Sequence, residues 1–192
     1  MNPFHERLAR IGLQALSAHG FALAGGYAVQ AHGIVNRLSE DVDLLTTAAT
    51  EASFPAVVRL AIDAYETAGL TVEVVADSPG FARFQITDPA SKESSKVELG
   101  IDWRRDLPVA MPIGPVLSAD DAVANKVTAL YSRAQARDYI DVDAAVSSGR
   151  YDRSALLFAL LSSTTPGSSQ PCSPSHSEPS DVCLRPSSPP TA

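Results

Sequence analysis

LAGGYAVQAHGIVNRLSEDVDLL, residues Leu23–Leu45, joins a paired-glycine turn to an acidic strand. The end of this stretch, Asp41 to Leu45, predicts a buried strand, and side chains two residues apart on a strand point to the same face. Asp41 and Asp43 therefore share a face, where their carboxylates repel each other unless a cation lies between them. A divalent metal bound by oxygen ligands is the usual cation. The pattern predicts a metal site carried by Asp41 and Asp43.

The paired glycines, Gly25 and Gly26, lie between a predicted strand and a predicted helix. Glycine lets a backbone approach a phosphate closely, and the start of a helix offers free N–H groups to an anion. A phosphate-binding turn beside a metal-binding carboxylate pair indicates nucleotide chemistry.

Two ordered groups of residues stand out in this chain. The first reads Gly25-Gly26-x-Ala28, then Gly33, then Arg37-x-Ser39-x-Asp41-Val42-Asp43-Leu44. The second reads Lys126-x(6)-Arg133-x(3)-Arg137-Asp138-x-x-Asp141. Together they resemble motifs of the AbiEii/MenT-type nucleotidyltransferase toxin family, within the nucleotidyltransferase superfamily. Paired glycines alone, or Asp-x-Asp alone, would be a weak signal. Their ordered combination, from Leu23 to about Val146, is a strong one.

The fold class predicted is α/β (α+β), with a small mixed sheet flanked by helices. Helical spacing of apolar residues predicts helices over 3–18, 27–32, 54–68, 118–133, 137–147 and 152–161. Strands are predicted over 21–24, 41–45, 70–75, 82–87 and 96–103. Residues 46–53 are predicted to be polar loop, and 106–115 to be Pro-rich and extended.

With the resemblance, these elements divide into three parts. Residues 1–115 form the expected nucleotidyltransferase core, and residues 116–162 a helical C-terminal part that closes the cleft. Residues 163–192 contain seven prolines and nine serines. Such a composition buries too little apolar surface to offset the entropy lost on ordering, so this segment is predicted to be a disordered tail.

Net charge, cysteine positions and the length of apolar runs together limit which class of protein this chain can be. The formal net charge is -7 and the isoelectric point is about 5.0, so no global positive field attracts nucleic acid. The two cysteines, Cys172 and Cys183, lie outside the predicted fold and indicate neither a disulfide framework nor a zinc site. The first 18 residues are charged and amphipathic, unlike a signal peptide, and no apolar run is long enough to span a membrane. The expected location is cytoplasmic, without a membrane partner.

The resemblance implies Mg²⁺-dependent transfer of a nucleoside monophosphate from an NTP, with two ions and a third carboxylate beside Asp41 and Asp43. Glu98, where relatives usually have Asp, is the candidate, and Asp102 is held in reserve because it lies on the same predicted strand face. The alternative is that Glu98 and Asp102 form the solvent face of a hairpin.

Nucleotide-binding roles are implied for further residues. Ser39 and the backbone of Gly25 and Gly26 would hold the β- and γ-phosphates, and Arg37 would join them or cap the nearby loop. Lys126 is the candidate for phosphate contact or leaving-group stabilisation. If its helix continued, Arg133 and Arg137 would share its face and form a cationic surface toward the triphosphate. Without the family motif, these three would be an exposed charged face.

Asp138 and Asp141 are i, i+3 neighbours on the following predicted helix. The resemblance implies a catalytic role for one or both. They would orient Lys126 or Arg133, or reach the base or ribose. Structural salt bridges between helices are an equally good explanation.

The function that the resemblance implies is the toxin of a toxin–antitoxin pair, transferring NMP to an RNA acceptor, with the tRNA 3′ end as the expected target. A cognate antitoxin encoded nearby is the expected partner. Transfer to a protein or small-molecule hydroxyl is one alternative. A nucleotide-binding regulator without catalysis is another.

Overall fold

The fold is built on one mixed sheet flanked by helices, as a computed structural model describes it over residues 1–163. The helices in that range are α1 (Pro3–Ala15), α2 (Gly25–Ala31), α3 (Phe54–Thr67), α4 (Ala119–Arg133), α5 (Ala136–Ser147) and α6 (Arg153–Ser163). The strands are β1 (Ala22–Leu23), β2 (Asp41–Thr46), β3 (Thr71–Ser78), β4 (Phe81–Thr87), β5 (Ser94–Ile101), β6 (Val109–Met111) and β7 (Gly114–Val116). The predicted fold class is confirmed. The predicted disordered tail lies, apart from Ser163, outside the described residues.

The sheet order is β3-β4-β5-β2-β1-β7-β6. The acidic strand β2 lies in the middle, antiparallel to β1 and parallel to β5. This parallel pairing sets Asp43 opposite Glu98 and Asp41 opposite Lys96. The register therefore places three acidic side chains on two neighbouring strands.

The two faces of the sheet have different neighbours. Val42 and Leu44 of β2 are buried on the face that packs against α1, and α1 packs in turn against α3. The same alternation buries Phe84 of β4 and Leu99 of β5. Because side chains alternate along a strand, the acidic residues of β2 and β5 point to the opposite face.

A buried histidine joins three elements of this core. His5 of α1 contacts the hydroxyl of Tyr27 on α2 at 2.6 Å and that of Ser95 on β5 at 2.7 Å. Tyr27 in turn donates to the carbonyl of Ser39 at 3.2 Å. Burial lowers the pKa of His5, and it raises the pKa of Tyr27. This network supports the loop in front of β2.

The prediction for residues 106–115 missed a hairpin. β6 and β7 pair there, and β7 continues the sheet by pairing with β1 through Val116 and Leu23. Both strands have only three residues and β7 contains a proline, so neither shows a measurable alternation in the sequence. Residues 46–53 are likewise not plain loop, because Ala48–Ser53 is a 3₁₀ segment.

The helix bearing Lys126 ends at Arg133, as predicted, and does not continue to Arg137, so the condition for a single cationic face is not met. Ala134 ends α4 in the left-handed conformation, with φ of 48°. α5 then begins with a capping box, in which Gln135 and Asp138 exchange side-chain and backbone hydrogen bonds. Lys126 and Arg137 therefore lie on different helices. Within residues 1–163, no helix is long and apolar enough to cross a membrane.

Candidate active site

Asp41 and Asp43 lie on the partly exposed face of β2, between buried neighbours. The carboxylate of Asp43 makes no hydrogen bond or ion pair with any residue in the range 1–163. The pKa of Asp43 is raised to about 7, first by loss of hydration and then by the negative charges of Asp41 and Glu98. Lys126 and Arg137 act in the opposite direction, which places two cations within electrostatic reach of this carboxylate.

The paired glycines at the start of α2 pack directly against the acidic strand. A Cβ atom on Gly25 would overlap the Asp43 carboxylate, and its φ of 58° also favours glycine. A Cβ on Gly26 would lie 2.8 Å from the Ser39 hydroxyl oxygen. Ser39 donates to Asp41 at 3.1 Å. The glycines thus let the backbone of α2 approach both the carboxylates and Ser39.

Glu98 lies next to Asp43 on β5 but is paired with another residue. Arg83, opposite Glu98 on β4, donates from Nε to the Glu98 carboxylate at 2.8 Å. Both side chains are about three-quarters buried, at 24% and 20% exposure. Glu98 is therefore positioned as a neighbour of Asp43, with its carboxylate drawn toward β4.

The reserve candidate, Asp102, has different surroundings. It follows the end of β5, accepts from the Trp103 N–H at 2.7 Å, and has Asn125 and Asp121 nearby. Burial raises its pKa to about 6. Asp41 and Asp43 do not contribute to this shift, whereas they lie close to Glu98. Asp102 stays a prediction, with less support than Glu98.

Asp141 of α5 connects two cations from different parts of the chain. Arg37 donates two hydrogen bonds to its carboxylate, at 2.7 and 2.6 Å, and the Lys126 Nζ lies 3.0 Å from it. The Asp141 side chain is fully buried, and 8% of the Lys126 side chain is exposed. Hydrogen bonding to Asp141 raises the pKa of Arg37. Asp141 thereby fixes α5, α4 and the segment before β2 relative to one another.

Asp138 forms a second ion pair one turn earlier. Arg133 donates to both carboxylate oxygens at 3.0 Å, and Asp138 also caps α5. Although burial raises the pKa of Asp138, hydrogen bonds from Arg133 bring it below the usual range. The hydrogen bond to Asp138 raises the pKa of Arg133, and the charges of Asp43 and Glu98 add to this, so the guanidinium lies close to the acidic strands.

Arg137 extends from α5 toward β2. Its Nη1 lies 3.4 Å from Glu40 and 3.5 Å from Asp41, both long for hydrogen bonds between ions. Its Nε is buried and has no hydrogen-bond partner in the described part of the chain. Arg137 thus has unused donor capacity beside the carboxylate pair.

The residues 7–186 match the family model described as "Nucleotidyl transferase AbiEii toxin, Type IV TA system". The chain belongs to this family. None of the curated proteins compared with it matches significantly. The match extends past Ser163 into the Ser/Pro-rich segment.

Solved structures show which fold this AbiEii-family chain shares. JHP933 from Helicobacter pylori aligns with a TM-score of 0.52 at 19% identity, covering 72% of this chain and 63% of JHP933. The nucleotidyltransferase toxin MenT4, Rv2826c from Mycobacterium tuberculosis H37Rv, gives 0.53 at 18% identity, covering 80% and 61%. The antibiotic-resistance factor ANT(2'')-Ia gives 0.54 at 14% identity, covering 84% and 92%. The chain spans less than two thirds of JHP933 and MenT4, and these similarities show a nucleotidyltransferase fold.

The two aspartates of this AbiEii-family site are suitable ligands for a divalent cation. Two carboxylates share a face, and the partly exposed Asp43 carboxylate lies beside two like charges without a hydrogen bond to any residue in the range 1–163. Oxygen ligands of this kind suit Mg²⁺. Over residues 1–163, however, no three His, Cys, Asp or Glu side chains lie close enough together to hold an ion. The fit rests on Asp41 and Asp43, with Glu98 held by Arg83.

The sequence prediction missed Arg83. The signal was present in the β4–β5 hairpin, where Ala82, Phe84 and Ile86 mark one face and Arg83 must lie on the other. Counting across the turn pairs Arg83 with Glu98. The exact register depends on turn geometry at 88–93, and this is what the sequence left undetermined.

Proposed function

We propose that this chain is a metal-dependent nucleotidyltransferase toxin that transfers NMP from an NTP to an RNA acceptor, with the tRNA 3′ end as the target. One observation carries the proposal. Asp41 and Asp43 share the open face of β2, and Lys126 and Arg137 lie within electrostatic reach of Asp43. Carboxylates for a cation and side-chain cations for a triphosphate are the two requirements of this chemistry.

In the proposed reaction, the acceptor hydroxyl oxygen bonds to the α-phosphorus of the NTP. The bond from that phosphorus to the bridging oxygen breaks, pyrophosphate leaves with the electron pair, and the hydroxyl proton passes to solvent. Mg²⁺ bound by Asp41 and Asp43, in one or two ions, would neutralise phosphate charge and lower the pKa of the acceptor hydroxyl. Glu98 is the proposed third ligand.

The chain's own cations would position the triphosphate. Arg137, with its unpaired Nε, is the proposed contact to a phosphate oxygen nearest Asp41. Lys126 would stabilise the charge that develops on the leaving pyrophosphate. The backbone of Gly25 and Gly26 and the hydroxyl of Ser39 would hold the β- and γ-phosphates at the open edge of the same site.

The remaining predicted residues act through these cations. Arg37 is engaged by Asp141, and Arg133 by Asp138, in the resting protein. We therefore assign Asp141 and Asp138 to positioning Lys126, Arg37 and Arg133. Direct contact of either carboxylate with base or ribose would require these ion pairs to open.

The partner is inferred from the family description, and the RNA acceptor is proposed from the resemblance to MenT-type toxins, rather than from a residue of the site. A toxin of a toxin–antitoxin system requires a cognate antitoxin, and MenT4 is itself described as a nucleotidyltransferase toxin. The net charge of -7 opposes broad nonspecific RNA binding, so a local arginine cluster would have to bind the acceptor.

The experiment is to incubate the purified chain with each α-labelled NTP, Mg²⁺ and total tRNA. We expect label on tRNA, at the 3′ end on sequencing, and none with EDTA or with Asp41→Asn. Asp63→Asn, an exposed carboxylate on α3, is the matched control and should retain labelling. In parallel reactions with cell protein or an aminoglycoside in place of tRNA, label on either would support the alternative acceptors. Nucleotide binding without any transfer would support the non-catalytic regulator.

A further inference from the structure

Glu98 lies on the middle strand of three whose side chains form one row across the open face. Its neighbour on β2 is Asp43, and its neighbour on β4 is Arg83. A glutamate has enough side-chain length to lean toward either strand. In this structure it leans to Arg83, with an Nε to Oε1 distance of 2.8 Å.

Arg83 is itself held in place from the other side. Its guanidinium carbon lies 5.4 Å from the centroid of the Phe81 ring, within the range of a cation–π contact. Phe81 is two residues away on β4 and so lies on the same face. The guanidinium therefore has a preferred position that does not depend on Glu98.

The ion pair between Arg83 and Glu98 is one that can exchange. Both side chains remain partly exposed, and pairs that water can reach contribute little to stability. Moving Glu98 to Asp43 without a cation would instead bring a third carboxylate against two others, at a cost in repulsion. Arg83 is thus the favoured partner of Glu98 until a cation is bound.

We propose that Arg83 is a positioning residue that withholds Glu98 from the metal site, so that binding of a divalent cation exchanges the Arg83–Glu98 pair for a Glu98–cation contact. This inference rests on the proposed function, because it takes Asp41 and Asp43 as ligands. It explains why Asp41, Asp43 and Glu98 do not form a three-residue cluster in the described part of the chain.

The test is Mn²⁺ binding to the full chain without nucleotide, measured by electron paramagnetic resonance of free Mn²⁺. We expect Arg83→Gln to tighten binding about threefold, or about 0.6 kcal/mol, because breaking a pair that water can reach costs little. Glu98→Gln should weaken it. The double variant should bind like Glu98→Gln, because Arg83 acts through Glu98. A gain that persists in the double variant would mean a through-space charge effect and would overturn the proposal.

Three further variants complete the design. Arg59→Gln removes the same charge from the exposed surface of α3 and should leave Mn²⁺ affinity unchanged. Arg83→Lys keeps the charge and should bind Mn²⁺ with an affinity close to that of the wild type. Arg83→Met also removes the charge, should tighten binding as Arg83→Gln does, and serves if Arg83→Gln fails to fold. Equal affinity of wild type and Arg83→Gln would overturn the inference.

The same measurement separates this inference from the proposed function. If Mn²⁺ binding is lost in Asp41→Asn and Asp43→Asn, while Arg83→Gln has no effect, only the inference fails. If Mn²⁺ binding is absent, or is independent of Asp41 and Asp43, the metal site of the proposed function fails as well.

Discussion

At the scale of single residues, the carboxylates of the candidate site differ in whether opposite or like charges lie beside them. Asp141 has two cationic partners and is fully buried, whereas Asp43 is partly exposed and lies beside two like charges. Removing a paired charge and removing a repelled charge should therefore have opposite effects on stability.

Asp141→Asn should lower the free energy of unfolding by about 3 kcal/mol, because Arg37 and Lys126 lose their shared counter-charge in a buried setting. For a chain of this size that corresponds to a fall in melting temperature of roughly 6–12 °C. Calorimetry checks it against Asp143→Asn, an exposed carboxylate two residues along the same helix, which should melt like the wild type. Equal melting temperatures for both variants would contradict the ion-pair account.

Asp43→Asn should abolish transfer and yet make the metal-free protein more stable. The amide keeps the shape of the side chain and removes the repulsion from Asp41 and Glu98. We expect transfer to fall by roughly 10²–10³-fold or more, and the unfolding free energy in EDTA to rise by about 1 kcal/mol. A urea titration with a parallel labelling assay measures both. A variant that is less stable and equally active would refute the assignment.

At the scale of elements, short contacts hold helices and strands in the arrangement that forms the cleft. The His5 network ties α1 to α2 and β5, and the left-handed Ala134 separates α4 from α5. For each of these two junctions, a substitution should change the stability of the protein in a defined direction.

The His5 junction should weaken as the pH falls. Burial lowers the pKa of His5 in the folded protein, and the nearby charges of Asp41 and Glu93 only partly offset this. The unfolded chain binds a proton near pH 6.5, where the folded chain does not. The stability contributed by neutral His5 is therefore complete above about pH 6.5 and is lost as the pH falls through the lower folded-state value.

Urea unfolding of the wild type and His5→Asn between pH 8 and pH 5 measures this contribution. The wild type should be more stable at pH 8, and the difference should shrink toward pH 5. Taking the difference removes the effect of other titrating groups. A difference that grows with falling pH would contradict a buried, neutral His5.

Replacing Ala134, at the junction of α4 and α5, with glycine should stabilise the protein. Ala134 has a φ of 48°, a conformation that costs a residue with a Cβ about 1–2 kcal/mol. Ala134→Gly should raise the unfolding free energy by up to about 1 kcal/mol. Ala129→Gly, in the interior of α4, should lower it by about 1 kcal/mol. The same sign for both substitutions in thermal melts would argue against a left-handed junction.

At the scale of the whole molecule, the cleft is made by residues from both ends of the described chain. The carboxylates come from β2 and β5, and the cations come from α4 and α5. A ligand that binds both sets would hold the sheet and the C-terminal helices together and so would oppose unfolding.

Mg²⁺ with the correct NTP should therefore stabilise the chain by about 2.7 kcal/mol at a hundredfold excess over the dissociation constant. This corresponds to a rise in melting temperature of roughly 5–10 °C. Differential scanning fluorimetry with each of the four NTPs also identifies the nucleotide. The Asp41→Asn/Asp43→Asn double variant should show no rise that depends on Mg²⁺. An undiminished rise in that variant would place the nucleotide elsewhere.

Part of this site could be read from the sequence because it is local. Asp41 and Asp43 share a face through the two-residue period of a strand, and Gly25 and Gly26 mark a turn that a Cβ would obstruct. The ordered motifs predicted the fold class and the family, both of which are confirmed. None of these conclusions needs contacts between distant residues.

Only the tertiary structure shows which charged side chains form ion pairs with one another. Arg37 and Asp141 are paired across 104 positions, and Arg83 meets Glu98 through a hairpin register. A single residue in the left-handed conformation, Ala134, ends α4 and so separates Lys126 from Arg137. The physical reason is that hydrophobic periodicity fixes the face on which a side chain lies, whereas partners across the cleft are chosen by loop geometry and strand register, which periodicity does not encode.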